Sequence, residues 1–497
     1  MTDVRQLLVH ASHYLAGRAG LMLLGFFSFP ILTRLLPVAQ YGELSLALKL
    51  CLLWTVLSKC GIQNAALRFF PEASRTSEAD KRACASTLIL SVAVISLLLG
   101  GIGYVAMRFA GSRLSPAVSA LAPLLLILAF VRSLQPTFSG LLRSERRTWL
   151  FNTCELSGKA MGILFSILAL TLIAIDLRYF VAGLVAAEAT VMIAIGTWFY
   201  RAGLLSLRRF KLRLAWEALL FSLPLIAYEL TSVVLDSGDR LLVGRFLGLT
   251  QLGLYSAAYS VATYAEEALM TPVNMALMPA YMKIWVDHGR EATSRFLSDS
   301  LDYFVMACGA VAVLVYVCSP DLIGILASRK FAAAHTLLPV LVLGLLVYAT
   351  HIFFNAPLII YKRSVVLTCV TSVCCIANIA INVLLLPRLG IMGAAVATLL
   401  SYALLVTGLL LVSRRYLSFS LPIGTLFVSS ILVIGVQALM NQISFTSHWI
   451  NLGIKGAGAL LLYGAGLMVL RPKLRRALFG GPRRAFASGS YLTEVEP

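Results

Sequence analysis

The chain consists of a long series of apolar runs, most of them about 20 residues in length, separated by short polar segments. A helix needs about 20 consecutive apolar residues to cross the hydrocarbon core of a bilayer. The pattern therefore predicts about fourteen transmembrane helices. Pro272 and Pro279 predict a kink or an early end in the eighth span. The approximate spans are 14–33, 42–64, 84–107, 116–141, 150–174, 179–200, 216–238, 251–279, 302–326, 334–360, 364–386, 391–412, 421–441 and 452–470.

The composition excludes a soluble protein of this size. Of the 497 residues, 59% are hydrophobic and 13% are charged, whereas soluble domains carry about 25% charged residues. We therefore predict an all-α polytopic membrane protein. The nine cysteines lie in apolar stretches without metal-ligand spacing, and so predict neither a disulfide framework nor a metal site.

The basic residues are distributed as expected for a membrane protein. If the N-terminus is cytoplasmic, 26 Lys and Arg residues fall in cytoplasmic segments and 9 on the other side. Cytoplasmic loops are enriched in this way, so we predict that both termini lie in the cytoplasm. The same distribution explains the formal net charge of +19 without a nucleic-acid partner.

A short sequence pattern occurs twice. Residues Ile31 to Leu48 align with residues Leu242 to Tyr259 at an offset of 211 positions. The matching pairs are Arg34/Arg245, Leu36/Leu247, Gln40/Gln251, Gly42/Gly253, Ser45/Ser256 and Ala47/Ala258. Six helices separate the copies, which predicts a parallel repeat; the alternative is chance similarity between two apolar hairpins. The repeat predicts four segments: two six-helix lobes at 1–205 and 206–415, two further helices at 416–472, and a disordered basic tail at 473–497.

Four basic residues fall inside the first predicted lobe: Arg18, Lys49, Lys59 and Arg132. A charge at mid-bilayer costs at least a few kcal/mol, so such groups normally face a bundle interior or a wet cavity. We interpret the four as a binding site for an anionic substrate. The alternatives are ion pairing with Glu155 or Glu188, or extension of the side chains to the interface.

Acidic residues lie in the seventh and eighth spans: Glu229, Asp236, Asp239 and Glu266. Membrane-embedded carboxylates often bind and release protons or cations. We interpret Glu229, Asp236 and Glu266 as ion-coupling residues. Pairing with Arg240 or Arg245 is the alternative, and we expect Asp239 to lie at headgroup level.

Three motifs resemble the polysaccharide flippases of the MATE-like exporter superfamily. The first is Thr33 to Leu36 followed by Tyr41-Gly42, and the second is Asp239 to Gly248 followed by Tyr255. The third consists of Asn378, Asn382 and the stretch from Pro387 to Ala395. The resemblance covers approximately residues 1–415.

The resemblance implies a flippase for surface polysaccharide biosynthesis in the bacterial inner membrane. It implies translocation of an undecaprenyl-diphosphate-linked oligosaccharide by ion-coupled alternating access. Its expected partners are that lipid, the bilayer, and a polysaccharide polymerase or assembly protein. In relatives that flip lipid II, basic residues on spans 1, 2 and 8 bind the diphosphate; Arg18 and Lys49 match the first two by location, whereas span 8 here carries carboxylates. Helices 13 and 14 are then expected to bind the polyprenyl tail.

Other functions stay open at this point. A multidrug or cation antiporter of the same superfamily is one alternative, and a non-transporting scaffold of a polysaccharide assembly complex is another. A membrane glycosyltransferase or polymerase would need a catalytic motif or a large loop outside the membrane. The sequence shows neither a nucleotide-binding loop nor a catalytic triad pattern, so we predict no enzyme activity and no cofactor.

Overall fold

The computed structural model describes the backbone of residues 2–109, 116–145, 147–443 and 447–471. It describes the side chains of residues 17, 19–105, 109, 119–145, 147, 149–443 and 447–471. Within these ranges the regular structure is helical and contains no β-strand. The α-helices are α1 (Thr2–Leu35), α2 (Val38–Lys59), α3 (Ile62–Thr76), α4 (Glu78–Phe109), α5 (Pro116–Ser144), α6 (Thr148–Leu172), α7 (Leu177–Arg201), α8 (Leu212–Leu247), α9 (Leu249–Leu326), α10 (Leu338–Ala349), α11 (His351–Ile360), α12 (Ser364–Ser413), α13 (Ile423–Met440) and α14 (His448–Leu470). The predicted tail at 473–497 lies outside the described residues.

Two of the helices are long enough to cross a bilayer twice, and each is broken at one glycine. Helix α9 has 78 residues and α12 has 50. Gly289 in α9 has φ 76° and ψ −160°, and Gly390 in α12 has φ 60° and ψ −145°. Glycine reaches this region at little cost, whereas other residues do so only under strain. At Gly390 the chain folds back on itself, since Asn378 Nδ2 lies 3.1 Å from Ser401 Oγ.

The described helices confirm an all-α polytopic membrane fold. Eleven segments are long and apolar enough to span a bilayer, and Ala19–Leu35 is a shorter apolar helix. Dividing α9 and α12 at their glycines brings the total to about fourteen, in the predicted order. Helix α9 continues through Pro272 and Pro279, where the sequence predicted a kink or an end, and departs from helical geometry at Gly289.

By packing, the chain divides into two compact units. Unit 1 comprises Met1–Ala257 and Thr368–Ser401, and unit 2 comprises Ala258–Leu367 and Tyr402–Pro497. These units reflect the density of internal contacts. The predicted lobes at 1–205 and 206–415 express sequence symmetry instead, and they stay a prediction.

The core of unit 1 lies among α3, α4, α5 and α7. Phe70, Leu88, Leu141 and Phe199 are almost completely buried there. Burial of such side chains contributes about 1.5–3 kcal/mol each relative to exposure in water. The outer surface of α4 is apolar as well, and Leu98 is 63% exposed. An apolar exterior is stable only where lipid replaces water.

Two hydroxyls in α4 hold the linker that precedes α8. Ser86 Oγ donates to the Leu204 carbonyl at 2.9 Å and accepts from the Ser206 backbone N–H at 3.0 Å. Thr87 Oγ1 accepts from the Lys211 backbone N–H at 3.0 Å. The linker is therefore fixed to α4 up to Lys211, the residue that precedes α8.

Unit 2 joins α14 to the second half of α9 through buried polar contacts. The Tyr463 hydroxyl donates to the Met306 carbonyl at 3.0 Å, next to Gly309. Farther along the same helices, Asp321 Oδ1 lies 2.7 Å from His448 Nδ1. The first contact requires glycine at position 309, because a Cβ there would overlap the tyrosine hydroxyl.

Candidate functional site

The two copies of the sequence repeat contact each other within unit 1. A Cβ on Gly42 would overlap the Leu249 carbonyl oxygen, and a Cβ on Gly253 would overlap the Val38 carbonyl oxygen. Val38 and Leu249 are also 211 positions apart, so the two contacts are equivalent. Such reciprocal contacts are what a local two-fold axis produces.

A third contact lies on the same axis. Ser45 Oγ and Ser256 Oγ are 2.8 Å apart, and these residues are equivalent in the repeat. A residue that contacts its own counterpart must lie close to the symmetry axis. The seam between α2 and the start of α9 therefore combines a backbone-to-backbone approach with one shared hydroxyl contact.

Lys49 projects from α2 toward α8, about three turns before the end of α2. Its Nζ donates to Asp236 Oδ2 at 3.2 Å. The Lys49 side chain is 24% exposed and that of Asp236 is 51% exposed. The pair thus joins a predicted substrate-binding residue to a predicted ion-coupling residue.

The last residue of α2 repeats this arrangement. Lys59 forms an ion pair with Glu229 Oε1, also on α8. The other carboxylate oxygen, Oε2, accepts from Gln63 Nε2 at 3.1 Å. Because α2 and α8 run in opposite directions, the later lysine meets the earlier carboxylate.

Arg132 is held in a different way. Its guanidinium forms hydrogen bonds of 2.6, 2.9 and 3.2 Å with both carboxylate oxygens of Glu188. This planar two-point contact is the strongest arrangement available to a carboxylate. It joins α5 to α7, and it is one of the alternatives that the sequence left open.

Asp239 is buried within unit 1, whereas the sequence predicted an exposed position at headgroup level. Only 1% of the surface of Asp239 is exposed. The Tyr255 hydroxyl donates to Oδ2 at 2.5 Å, the Thr398 hydroxyl does so at 3.3 Å, and the Arg240 backbone N–H donates to Oδ1 at 2.7 Å. Three donors satisfy a carboxylate that burial would otherwise make costly.

The same part of unit 1 contains buried amides on α12. Asn378 is 1% exposed and Asn382 is 0% exposed. Asn382 Oδ1 is buried and has no hydrogen-bond donor among the described residues. Amide, hydroxyl and carboxylate oxygens are the ligands that hard cations take. Among the described residues no group of three or more His, Cys, Asp or Glu side chains is placed to hold a metal.

The remaining predicted site residues are Arg18 and Glu266. The side chain of Arg18 lies outside the described ones. Glu266 lies on α9 in unit 2, half-buried. The described site in unit 1 therefore contains three basic groups and three carboxylates in direct pairs. The sequence emphasised the basic residues, whereas in the described part of the site each of these three basic groups is paired with a carboxylate.

An apolar cavity lies within unit 2. Its volume is about 530 Å³, and its lining residues come from α9, α10, α11, α12 and α13. Nearly all of its lining is apolar, including Val305, Leu346, Phe354, Leu410 and Val433. A cavity of this size and polarity suits part of a hydrocarbon chain rather than a polar headgroup.

Comparison with known proteins extends these observations. The fold resembles that of the lipid II flippase MurJ in an inward closed conformation, with a TM-score of 0.67 at 15% identity, covering 94% of this chain and 100% of that one. It also resembles a multidrug resistance MATE family transporter of the MOP superfamily in an inward-facing conformation, with a TM-score of 0.65 at 12% identity and coverages of 86% and 96%. A mutant form of the MATE transporter VcmN of Vibrio cholerae gives 0.56 at 13% identity, with coverages of 83% and 96%.

These identities establish a shared fold and no more. No curated protein matches the chain by sequence. A family model, described as polysaccharide biosynthesis protein, matches residues 10–285, which is more than half of the chain. On this match, and with a fold that it shares with flippases and MATE transporters, the chain belongs to the polysaccharide biosynthesis protein family.

Proposed function

We propose that the chain is a flippase that moves a polyprenyl-diphosphate-linked oligosaccharide from the cytoplasmic to the outer leaflet of the bacterial inner membrane. Family membership supports a role in polysaccharide biosynthesis. The fold supports transport, because the similar proteins named above are transporters, one of them a flippase for a lipid-linked substrate.

The observation that carries the proposal is the pair of lysines on α2. Lys49 and Lys59 lie within a membrane-spanning segment, where an ammonium group is costly unless it serves a purpose. They are ten residues apart, about 15 Å along the helix. An ammonium group is a point charge that binds phosphate well. The two ammonium groups therefore offer the diphosphate headgroup two successive contacts along α2.

The tail of the lipid needs a separate, apolar place. The cavity in unit 2 has an apolar lining that suits part of such a chain. Exposing one methylene group of a polyprenyl chain to water costs about 0.8 kcal/mol of free energy. The tail is therefore expected to stay in apolar surroundings while only the headgroup crosses.

Energy for a net flux comes from an ion gradient in this proposal. Asp239 and the hydroxyls of Tyr255 and Thr398 that contact it form the oxygen-rich environment that a coupling proton or cation requires. Glu229, Asp236 and Glu266 stay further candidates. Transport that is abolished by Asp239→Asn, in protein that binds substrate normally, would assign coupling to the buried carboxylate.

The proposal is tested with purified full-length protein in proteoliposomes. A fluorescent undecaprenyl-diphosphate oligosaccharide is placed in both leaflets, and the fraction accessible to an external quencher is followed after an ion gradient is imposed. We expect protein-dependent movement between leaflets. The same vesicles with an undecaprenyl lipid that lacks the diphosphate should show none. Equal movement of both lipids, or of neither, would contradict the proposal.

A MATE-type antiporter for organic cations is the second candidate. The similarity to MATE structures and the carboxylates on α8 favour it. Uptake of a fluorescent organic cation by inverted vesicles distinguishes the two functions. An antiporter exports such cations with the flippase substrate absent, and a dedicated flippase does not.

A further inference from the structure

The three ion pairs of the site differ in how firmly they hold the basic group. Arg132 makes three hydrogen bonds to Glu188, with both oxygens engaged. Lys49 makes a single hydrogen bond of 3.2 Å to one oxygen of Asp236. A forked guanidinium contact has a fixed geometry, whereas an ammonium group can turn from one acceptor to another. The Lys49–Asp236 ion pair is therefore exchanged more readily than the Arg132–Glu188 ion pair.

The pairs also differ in how accessible their acidic member is. The Asp236 side chain is 51% exposed, compared with 28% for Glu229 and 16% for Glu188. Lys49 itself is 24% exposed. Asp236 is therefore the most solvent-accessible acidic partner of the three pairs.

Asp236 does not depend on Lys49 alone. Arg240 Nη1 lies 3.8 Å from Asp236 Oδ2 and donates to the Asp236 backbone carbonyl at 3.2 Å. The Ser237 hydroxyl donates to the same carboxylate at 2.8 Å. Asp239 is the other charged group near Lys49. If Lys49 turned away, Asp236 would thus keep a cation and a hydroxyl donor.

Among the described side chains, Lys49 has a hydrogen bond and an ion pair with Asp236 and with no other acidic group. The acidic groups that act on it are Asp236 and, more weakly, Asp239, while Arg240 opposes its charge. A partly buried ammonium that loses its counter-ion costs several kcal/mol. Without substrate, Lys49 therefore needs Asp236, whereas Asp236 does not need Lys49 to the same degree.

We propose that Asp236 is a built-in counter-ion that Lys49 exchanges for the diphosphate of the substrate; this rests on the proposed function. In the empty protein, Asp236 neutralises Lys49. When substrate binds, the ammonium turns to the phosphate and Asp236 keeps Arg240. On release, Asp236 recaptures Lys49, which competes with rebinding and returns the empty protein with no unpaired lysine in the membrane.

The exchange predicts opposite effects on binding and on turnover. In Asp236→Asn the competing carboxylate is gone, so undecaprenyl diphosphate should bind about twofold to fivefold more tightly, the upper range of a partly exposed ion pair. Flipping per bound lipid should be slower, because release lacks its competitor. Binding is measured with the full chain in nanodiscs and flipping in proteoliposomes. Glu217→Gln removes one negative charge from the exposed part of the same helix and should change neither quantity.

A second variant shows whether the effect acts through Lys49. In a Lys49→Gln background, binding should be weaker, and adding Asp236→Asn should leave it unchanged, because the competition no longer exists. Asp236→Glu, which keeps the counter-ion, should behave as wild type. Should Asp236→Asn not fold, Asp236→Ser takes its place with the same expectation.

The outcomes separate the two proposals. If the wild-type protein does not bind undecaprenyl diphosphate, the proposed function is wrong. If it binds, and Asp236→Asn weakens binding or leaves it unchanged, the function stands and the exchange is refuted. Tighter binding that persists in the Lys49→Gln background also refutes the exchange, since it would act through another group.

Discussion

The reciprocal glycine contact makes a sharp prediction about stability. Replacing Gly42 by alanine adds one methyl group to α2 and to no other part of the seam. In an exposed helix this change is stabilising by about 0.5–1 kcal/mol, because alanine loses less backbone freedom on folding. At Gly42 the methyl group would overlap a backbone carbonyl of α9. A backbone atom cannot move aside by changing rotamer, so the two helices must separate.

The net effect follows from these two quantities. Overpacking a well-packed contact costs about 1–3 kcal/mol, and a backbone clash lies at the upper end. After the helix gain is subtracted, Gly42→Ala should destabilise the protein by about 2–2.5 kcal/mol. By the local symmetry, Gly253→Ala should cost the same. The double variant should cost less than the sum, because helices that are already separated by one methyl group accommodate the second.

Thermal unfolding of detergent-solubilised protein, followed by intrinsic tryptophan fluorescence, measures these shifts. The control is Gly100→Ala in α4, where an added Cβ meets nothing within 4 Å. It should unfold at the same temperature as wild type or slightly higher. If Gly42→Ala matches this control, or if Gly42→Ala and Gly253→Ala differ by several degrees in midpoint, the reciprocal contact is not as described.

Three further predictions follow from contacts within unit 1. Ser45→Cys/Ser256→Cys should form a disulfide under oxidation, because the hydroxyls are 2.8 Å apart; a band shift after proteolysis between the halves detects it, and the single variants should show none. Arg132→Lys should lower the unfolding midpoint, while Glu188→Asp, which keeps two acceptor oxygens, should lower it less; equal shifts would contradict the forked contact. Ser86→Ala should cost about 1–3 kcal/mol, because it leaves a buried backbone carbonyl and an N–H without their partner; an unchanged midpoint would show that the linker is not held there.

The helical architecture was predictable because lipid imposes it. A spanning segment must satisfy its own backbone hydrogen bonds, so the length of each apolar run determines a helix. The positions at which helices break were less predictable. Pro272 and Pro279 are the stronger sequence signals, yet α9 passes through both and breaks at Gly289. A proline inside a membrane helix is tolerated when neighbouring groups satisfy the freed carbonyl, whereas the φ and ψ of Gly289 are accessible to few other residues.

The chemistry of the site was predictable in its residue types and not in its pairings. The sequence singles out Lys49 and Asp236 because membrane-embedded charges are costly, but 187 positions separate them. Nothing in the local pattern shows that α2 and α8 run side by side at these positions. Asp239 was misplaced for a related reason: its donors Tyr255 and Thr398 come from other helices. With Arg240 beside it, the local pattern indicated an interface instead.

The attachment of the linker to α4 has a mechanical consequence. Ser86 and Thr87 form hydrogen bonds with the backbone of Leu204, Ser206 and Lys211, so the linker between α7 and α8 is anchored to α4 at both ends. A rotation of α8 relative to α4 would therefore have its pivot in the first turn of α8, and displacement would grow toward the far end of the helix. Asp236 is 25 residues beyond Lys211, at the end of a lever about 37 Å long, where a small rotation at the base becomes a large excursion of the charge.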